Sequence, residues 1–272
     1  MKKTACAVLA MLAGLCFSTD LFANEKDPQK KNYENEKFVW TDNYVTEGSN
    51  AAIAPSTEEI VTTCLSKDGK PLRWVRKNDI YKFGKYTGIS TLETALYNMA
   101  VDEMINNFEK DGTLRTGLLW GGVWTRDVSY SSLLSLSYMC PDKVKNSLEV
   151  KIDRMGRIIQ DTGTGGSWPC SSDRVVWALS AWNIYLATGD MEWLKKAYPV
   201  ITKSLECDDM VVFNPQTGLY RGESSFIDWR EQSYPTWAQP ADIYLSECLG
   251  TNAAYYGVLK VTADMAAALG YK

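Results

Sequence analysis

The 272-residue chain contains no histidine. That excludes Ser-His-Asp and Cys-His nucleophilic machinery, histidine-ligated zinc or haem, and every imidazole acid or base. Proton transfer falls to carboxylates, lysine, tyrosine or cysteine. A basic block is also missing. Lys and Arg total 29 against 33 Asp and Glu, a net charge of −4, so no nucleic-acid partner is expected. No two cysteines form a Cys-x-x-Cys pair. Beyond the N-terminal stretch Cys64, Cys140, Cys170, Cys207 and Cys248 are widely scattered, which reads as buried small hydrophobes rather than a metal or redox centre. No metal and no cofactor is expected. No run of 18 apolar residues occurs, so no transmembrane span is expected.

What is present begins with an export signal. Lys2 and Lys3 precede an apolar stretch from Thr4 to Phe17, and Leu21-Phe22-Ala23 is an acceptable cleavage site. Residues 1–23 are read as a signal peptide, giving a periplasmic or extracellular protein. A lipid anchor at Cys16 is the lesser reading, because Ala13-Gly14-Leu15 fits the lipidation pattern poorly. Residues 24–37 are polar and read as a disordered linker. Residues 38–88 read as a β-rich lead-in, with Glu59–Cys64 and Leu72–Val75 flanking the Asp68-Gly69 turn of a hairpin.

From residue 89 the pattern turns helical. Ser90 and Glu93 make a capping box ahead of Leu92, Leu96, Met99 and Phe108. A second helix spans about Asp127 to Met139. A third follows Pro141, with Val144, Leu148, Ile152, Met155 and Ile159 on one stripe. A fourth, apolar nearly all round, starts at Asp173 as N-cap. A fifth follows Asp190, with a kink expected at Pro199, and a sixth runs from near Asn252 to Gly270. Short joints alternate with long ones at roughly 109–126, 161–172 and 209–251. If successive helices are antiparallel, the long loops share one face and feed inner helices whose first residues, Asp127 and Asp173, act as caps. The fold class is mainly α: stacked helical hairpins over 89–272, forming about half of a toroid.

Those three loops hold five of the ten tryptophans: Trp120, Trp124, Trp168, Trp229 and Trp237. An indole offers a flat apolar face with one N–H, which suits the C–H face of a sugar. Packing that pins the loops is the plainer reading and accounts for some of the five. Arg126 and Asp127 offer a fork of donors beside an acceptor, matched to vicinal hydroxyls. Asp173 is a cap first and a sugar contact second. The glycines at 163–166 lack the strand and Gly-Lys-Ser/Thr of a phosphate loop. In the third loop Asp228 sits between Ile227 and Trp229, and apolar flanks raise a carboxyl pKa as a general acid for glycosidic cleavage requires. Glu223 and Glu231 are the alternatives to Asp228, and a salt-bridged loop of Arg221, Glu223, Arg230 and Glu231 is the non-catalytic reading.

With these residues the helical segment resembles the six-hairpin glycosidases, the (α/α)6-barrel enzymes that include glucoamylases, trehalases and processing α-glucosidases. Trp124-Thr125-Arg126-Asp127 resembles the glucoamylase motif whose Arg-Asp pair grips the non-reducing-end sugar. Phe226-Ile227-Asp228-Trp229 is similar to the stretch that carries a catalytic Asp in trehalase-like relatives. Arg230 stands where an acid is expected, which leaves Asp228 and Glu231 both open. The resemblance covers about residues 88–272 and implies a secreted, inverting glycoside hydrolase acting on α-linked oligo- or polysaccharides. Its substrate contacts would be Trp120, Trp124, Arg126, Asp127, Trp168, Asp173, Trp229 and Arg230. A full barrel needs twelve helices and six are legible, so the base is expected on a missing C-terminal half, which becomes a partner. The alternatives are a non-catalytic glycan-binding protein and a polysaccharide lyase using Tyr130 or Tyr234. Absent histidines count against the lyase.

Overall fold

The computed structural model describes residues 31–159, 168–223 and 234–271. The expected signal, Cys16 and the first part of the linker lie outside them. The chain divides into two units, residues 1–106 and 107–272. It is mainly α, with an antiparallel sheet near the N-terminus. Among the described residues no helix is long and apolar enough to cross a membrane.

The first unit is a six-stranded antiparallel meander: β1 (Tyr33–Glu34), β2 (Phe38–Trp40), β3 (Tyr44–Glu47), β4 (Asn50–Ser56), β5 (Glu59–Leu65) and β6 (Pro71–Val75). It starts inside the stretch read as a linker, because Tyr33 and Glu34 pair with Trp40 and Val39. The Asp68-Gly69 turn joins β5 to β6, and Gly69 N–H donates to Ser66 O at 2.9 Å. Helix α1 (Thr91–Asn106) packs on β4 and β5. Leu92 and Ala95 join Ala54 and Ile60 in the core. The expected boundary at residue 88 is therefore displaced, and α1 belongs to the sheet. Its buried face is not the expected stripe either, since Leu96 is exposed and Phe108 lies beyond the helix. Ser90 Oγ accepts from Glu93 N–H at 3.1 Å, but the Glu93 carboxylate reaches back to Ile89 N–H instead of Ser90. Asp102, 1% exposed, takes Trp74 Nε1 at 3.0 Å, Asn78 N–H at 2.9 Å and Asn78 Nδ2 at 2.8 Å.

The second unit is helical. Helix α2 (Thr125–Ser131) continues through a π segment, Ser132–Leu136, into α3 (Ser137–Met139). After Cys140 comes α4 (Pro141–Glu149), with proline in its first turn. A 3-10 turn, Asp173–Val176, leads into α5 (Trp177–Thr188). Then follow α6 (Met191–Val211), α7 (Pro240–Leu245) and α8 (Leu249–Ala268). Helix α6 runs unbroken through Pro199 and is capped by Asp190, which accepts from Trp193 N–H at 3.0 Å. Helix α5 sits at the centre, packed against α2, α4, α6 and α8. Trp177 and Trp193 lie with ring centroids 5.9 Å apart, their indole N–H groups donating to Leu148 O and Ala181 O. That placement explains why α5 has no polar side.

The stripe expected to continue α4 to Ile159 is corrected. The helix stops at Glu149, and Ile152 bridges Ile158 across a tight turn with Met155 exposed at its tip. Asp153 Oδ1 accepts from Met155 N–H at 2.8 Å and Arg157 N–H at 2.9 Å, a local bond set that outcompetes helical periodicity. The same turn occurs three times among the described residues. In the first, Phe108 bridges Leu114, Arg115 N–H donates to Asn107 O, and Gly112 N–H donates to Glu109 O. In the second, Ile159 N–H donates to Lys151 O and Gly156 N–H to Asp153 O. The third joins β7 (Phe213–Asn214) to β8 (Leu219–Tyr220) and is one residue longer; there Arg221 N–H donates to Val212 O and Gly218 N–H to Asn214 O. Gly112, Gly156 and Gly218 have φ of 88°, 77° and 74°. Leu114 and Ile158 each donate a buried N–H, at 2.9 Å, to a serine of a later helix: Ser147 on α4 and Ser204 on α6. The unit is thus an internal repeat, hidden in sequence because only one glycine and a few apolar positions recur.

Candidate functional site

After the first hairpin the chain makes a tight loop. Gly117 and Trp120 exchange backbone bonds of 3.1 and 3.0 Å. Arg115 donates from Nε to Gly117 O and from Nη2 to Leu118 O. This leaves Leu118, Leu119 and Trp120 in solvent. The Trp120 ring lies 6.1 Å from that of Trp124, tilted by 59°. Trp124 is the N-cap residue of α2 and caps with no side-chain bond.

Arg126 and Asp127 follow in the first turn of α2. Arg126 Nη1 donates to Asp173 Oδ2 at 2.7 Å, and its Nη2 lies 3.7 Å from Asp127 Oδ2. The Asp173 side chain is 2% exposed and that of Asp127 33%. Neither aspartate holds the N-cap position: Asp127 is the third residue of α2, whose N-cap is Trp124, and Asp173 is the first residue of the 3-10 turn ahead of α5, whose N-cap is Ser172. The expectation that both stand as caps is corrected in position: Asp173 takes the Arg126 guanidinium in a charge-assisted bond, and Asp127 Oδ2 lies at ion-pair distance from the same group.

The three long connections meet at this point. Thr125 Oγ1 donates to Ile159 O at 2.6 Å, tying the first loop to the entrance of the second. Glu223 N–H donates to Cys170 O at 3.0 Å. Glu223 O accepts from Ser172 Oγ at 2.7 Å and Thr251 Oγ1 at 2.6 Å. The third loop is thereby held between the residues leading into α5 and the first turn of α8. Glu223 is 1% exposed. Gly222 makes the approach possible: its φ is 133°, and a Cβ there would stand 2.6 Å from Cys170 O.

Trp168 is placed differently from the sugar platform expected of it. Its Nε1 donates to Asp208 Oδ1 at 3.0 Å, and the Arg157 guanidinium covers its ring at 4.2 Å. Its N–H and one face are engaged, and it ties residue 168 to α6. Asp208 is fully buried and also takes Tyr255 OH at 2.9 Å and the Arg174 guanidinium. Burial, opposed by Arg174 and reinforced by Asp208, pushes the Tyr255 phenol up. Tyr220 stacks on Tyr255 with centroids 3.8 Å apart. This knot of Arg174, Asp208 and Tyr255 ties the approach to α5, α6 and α8 together and has no signal in the sequence. Trp237 is exposed, and Tyr130 and Tyr234 are partly buried. Asp228, Trp229, Arg230 and Glu231 lie outside the described residues. Among the described residues no group of three or more Cys, Asp or Glu could hold a metal, and Cys64, Cys140, Cys170, Cys207 and Cys248 are free thiols.

The arrangement offers carboxylates of graded exposure beside an aromatic pair, which can accept from hydroxyls and cover an apolar ring face. No family model matches the chain, and no curated protein matches it.

Proposed function

We propose that the helical unit is an exported glycan-acting domain of the six-hairpin glycosidase type. The observation that carries this reading is the meeting of three loops, where Trp120 and Trp124 precede the Asp127–Arg126–Asp173 group and Glu223 joins from the third loop. An aromatic pair beside acidic acceptors suits a neutral, hydroxyl-rich ring. In this reading Asp228 is the general acid of an inverting hydrolysis, with Glu231 and Glu223 as alternatives, and the base comes from a further part of the ring. A next hairpin of such a ring would lie on the exposed side of α8, where Leu249, Tyr256 and Leu259 reach solvent. The second reading is a non-catalytic glycan binder. It needs the aromatic pair Trp120 and Trp124 with the acceptors that follow them, and no catalytic base.

Titration of the chain with trehalose and maltotriose, followed by tryptophan fluorescence and by chromatography of the products, tests both. Saturable quenching that Trp124→Ala removes supports the glycan site. Release of glucose that Asp228→Asn abolishes selects the hydrolase; binding without release is expected of the isolated chain in either reading, because the base comes from elsewhere, and it supports the glycan site alone. No response to either sugar counts against the α-linked glycan reading.

A further inference from the structure

The N-terminal unit holds a cavity of about 450 Å³ between the segment 81–91 and the start of α1, within the size range of small-molecule sites. We propose that it is a second sugar site, taking a neutral saccharide, with Tyr86 and Tyr81 as walls and Lys85 and Asn98 as polar contacts.

The walls are fixed in advance. Tyr81 and Tyr86 are exposed, yet Tyr81 OH donates to Glu58 at 3.0 Å and Tyr86 OH donates to Glu93. Each ring is also held from one side, Tyr81 by Arg76 at 5.4 Å from its centroid and Tyr86 by the Tyr97 ring at 5.1 Å, which reduces the entropy lost when a ligand meets the exposed remainder. The polar groups are of both kinds. Asn98 is 6% exposed and lines the cavity. Its Nδ2 donates to Thr57 O at 2.9 Å, while Oδ1 accepts no hydrogen bond from the described residues. That oxygen opens on the cavity and can take a donor from whatever fills it. Lys85 supplies donors: its Nζ lies 5.0 Å from the Tyr81 ring centroid, and no carboxylate of the described residues pairs with it.

The charge pattern argues for a neutral ligand. Asp42 lines the same cavity and offsets Lys85. The start of α1 is not an anion site, because Asp42 takes the Thr91 N–H and hydroxyl and Ser90 Oγ takes the Glu93 N–H. A hydroxyl both donates and accepts, so a neutral sugar matches Asn98 Oδ1 and Lys85 Nζ together, with a ring face for tyrosine. This site stands on the first unit alone and is independent of the reading of the helical unit.

The test is a titration of the 15N-labelled chain with maltose, cellobiose and lactose, and separately with glucuronate, followed by amide shifts. Saturable shifts centred on Thr57, Tyr86 and the Asn98 side chain with at least one neutral disaccharide are expected. Tyr86→Ala and Lys85→Ala, both at exposed positions, should each weaken binding about tenfold while the rest of the spectrum is kept. Shifts confined to Trp120 and Trp124 would report the helical site and overturn this one. So would binding of glucuronate alone, no response to the three neutral sugars, or binding indifferent to both variants.

Discussion

Arg126 on α2 and Asp173 ahead of α5 are 47 residues apart in sequence, yet Nη1 and Oδ2 lie 2.7 Å apart with both side chains largely buried. The pair joins the start of α2 to the turn ahead of α5, and Asp127 lies 3.7 Å from the same guanidinium. Removing the cation takes the charge-assisted bond from the buried Asp173 carboxylate. Arg126→Ala is expected to destabilise the helical unit by about 3 kcal/mol, as for breaking a buried pair from one side. Arg126→Lys should recover only part of this, because an ammonium cannot span two carboxylates as a planar fork does. Urea unfolding of both variants measures it, and equal stability of wild type and Arg126→Ala would reduce the pair to an idle surface contact.

Asp102 makes the first unit acid-sensitive. Burial alone would push its carboxyl up, but donation from Trp74, Asn78 and Lys77 wins and the pKa is lowered from 3.8. The stabilisation it provides is therefore complete above the unfolded value and is lost as pH falls through the lower folded value. Asp102→Asn should cost roughly 1.5–3 kcal/mol near neutral pH and flatten the acid limb. Denaturation of the β unit followed between pH 2 and 6 decides this. An unchanged acid limb would show that another carboxylate governs it.

Gly222 is required by contact as well as by conformation. Gly222→Ala places a methyl 2.6 Å from Cys170 O at a φ of 133° that an L-residue rarely adopts. The junction of the second and third loops should loosen, with a loss of about 2 kcal/mol and faster amide exchange at Glu223. Exchange at Glu223 that matches the wild type would mean that the loops meet without help from this glycine.

The repeat predicts equal penalties at two distant serines. Ser147→Ala strands the buried N–H of Leu114, and Ser204→Ala strands that of Ile158. Each should cost about 1–3 kcal/mol, and the two should agree within about 0.5 kcal/mol and add in the double variant. Thermal melts of the three variants measure this. A large loss at one serine with none at the other would show that the hairpins are alike in geometry only.

Much of the fold was written locally. Asp68-Gly69 sets the β5–β6 turn, Pro141 opens α4, Asp190 caps α6, and the apolar surround of α5 marks it as the enclosed helix. Each of these acts within about four residues, so the chain carries the instruction and its effect in one place. The end of α4 was local too, but a turn led by Asp153 competed with an apolar period and won. The candidate site residues Trp120, Trp124, Arg126, Asp127, Asp173 and Glu223 could be named from composition and a resemblance, but their roles could not. Whether Asp173 caps a helix or binds Arg126, and whether Trp168 meets a ligand or Asp208, depends on which side chain arrives from 40 or more residues away. Packing of α2, α5, α6 and α8 sets those encounters. The same is true of α1, whose place on the sheet follows from Ala54 and Ile60 meeting Leu92 and Ala95 rather than from any signal at residue 88. Side-chain chemistry fixes what each residue can do, and only the folded chain chooses the partner with which it does it.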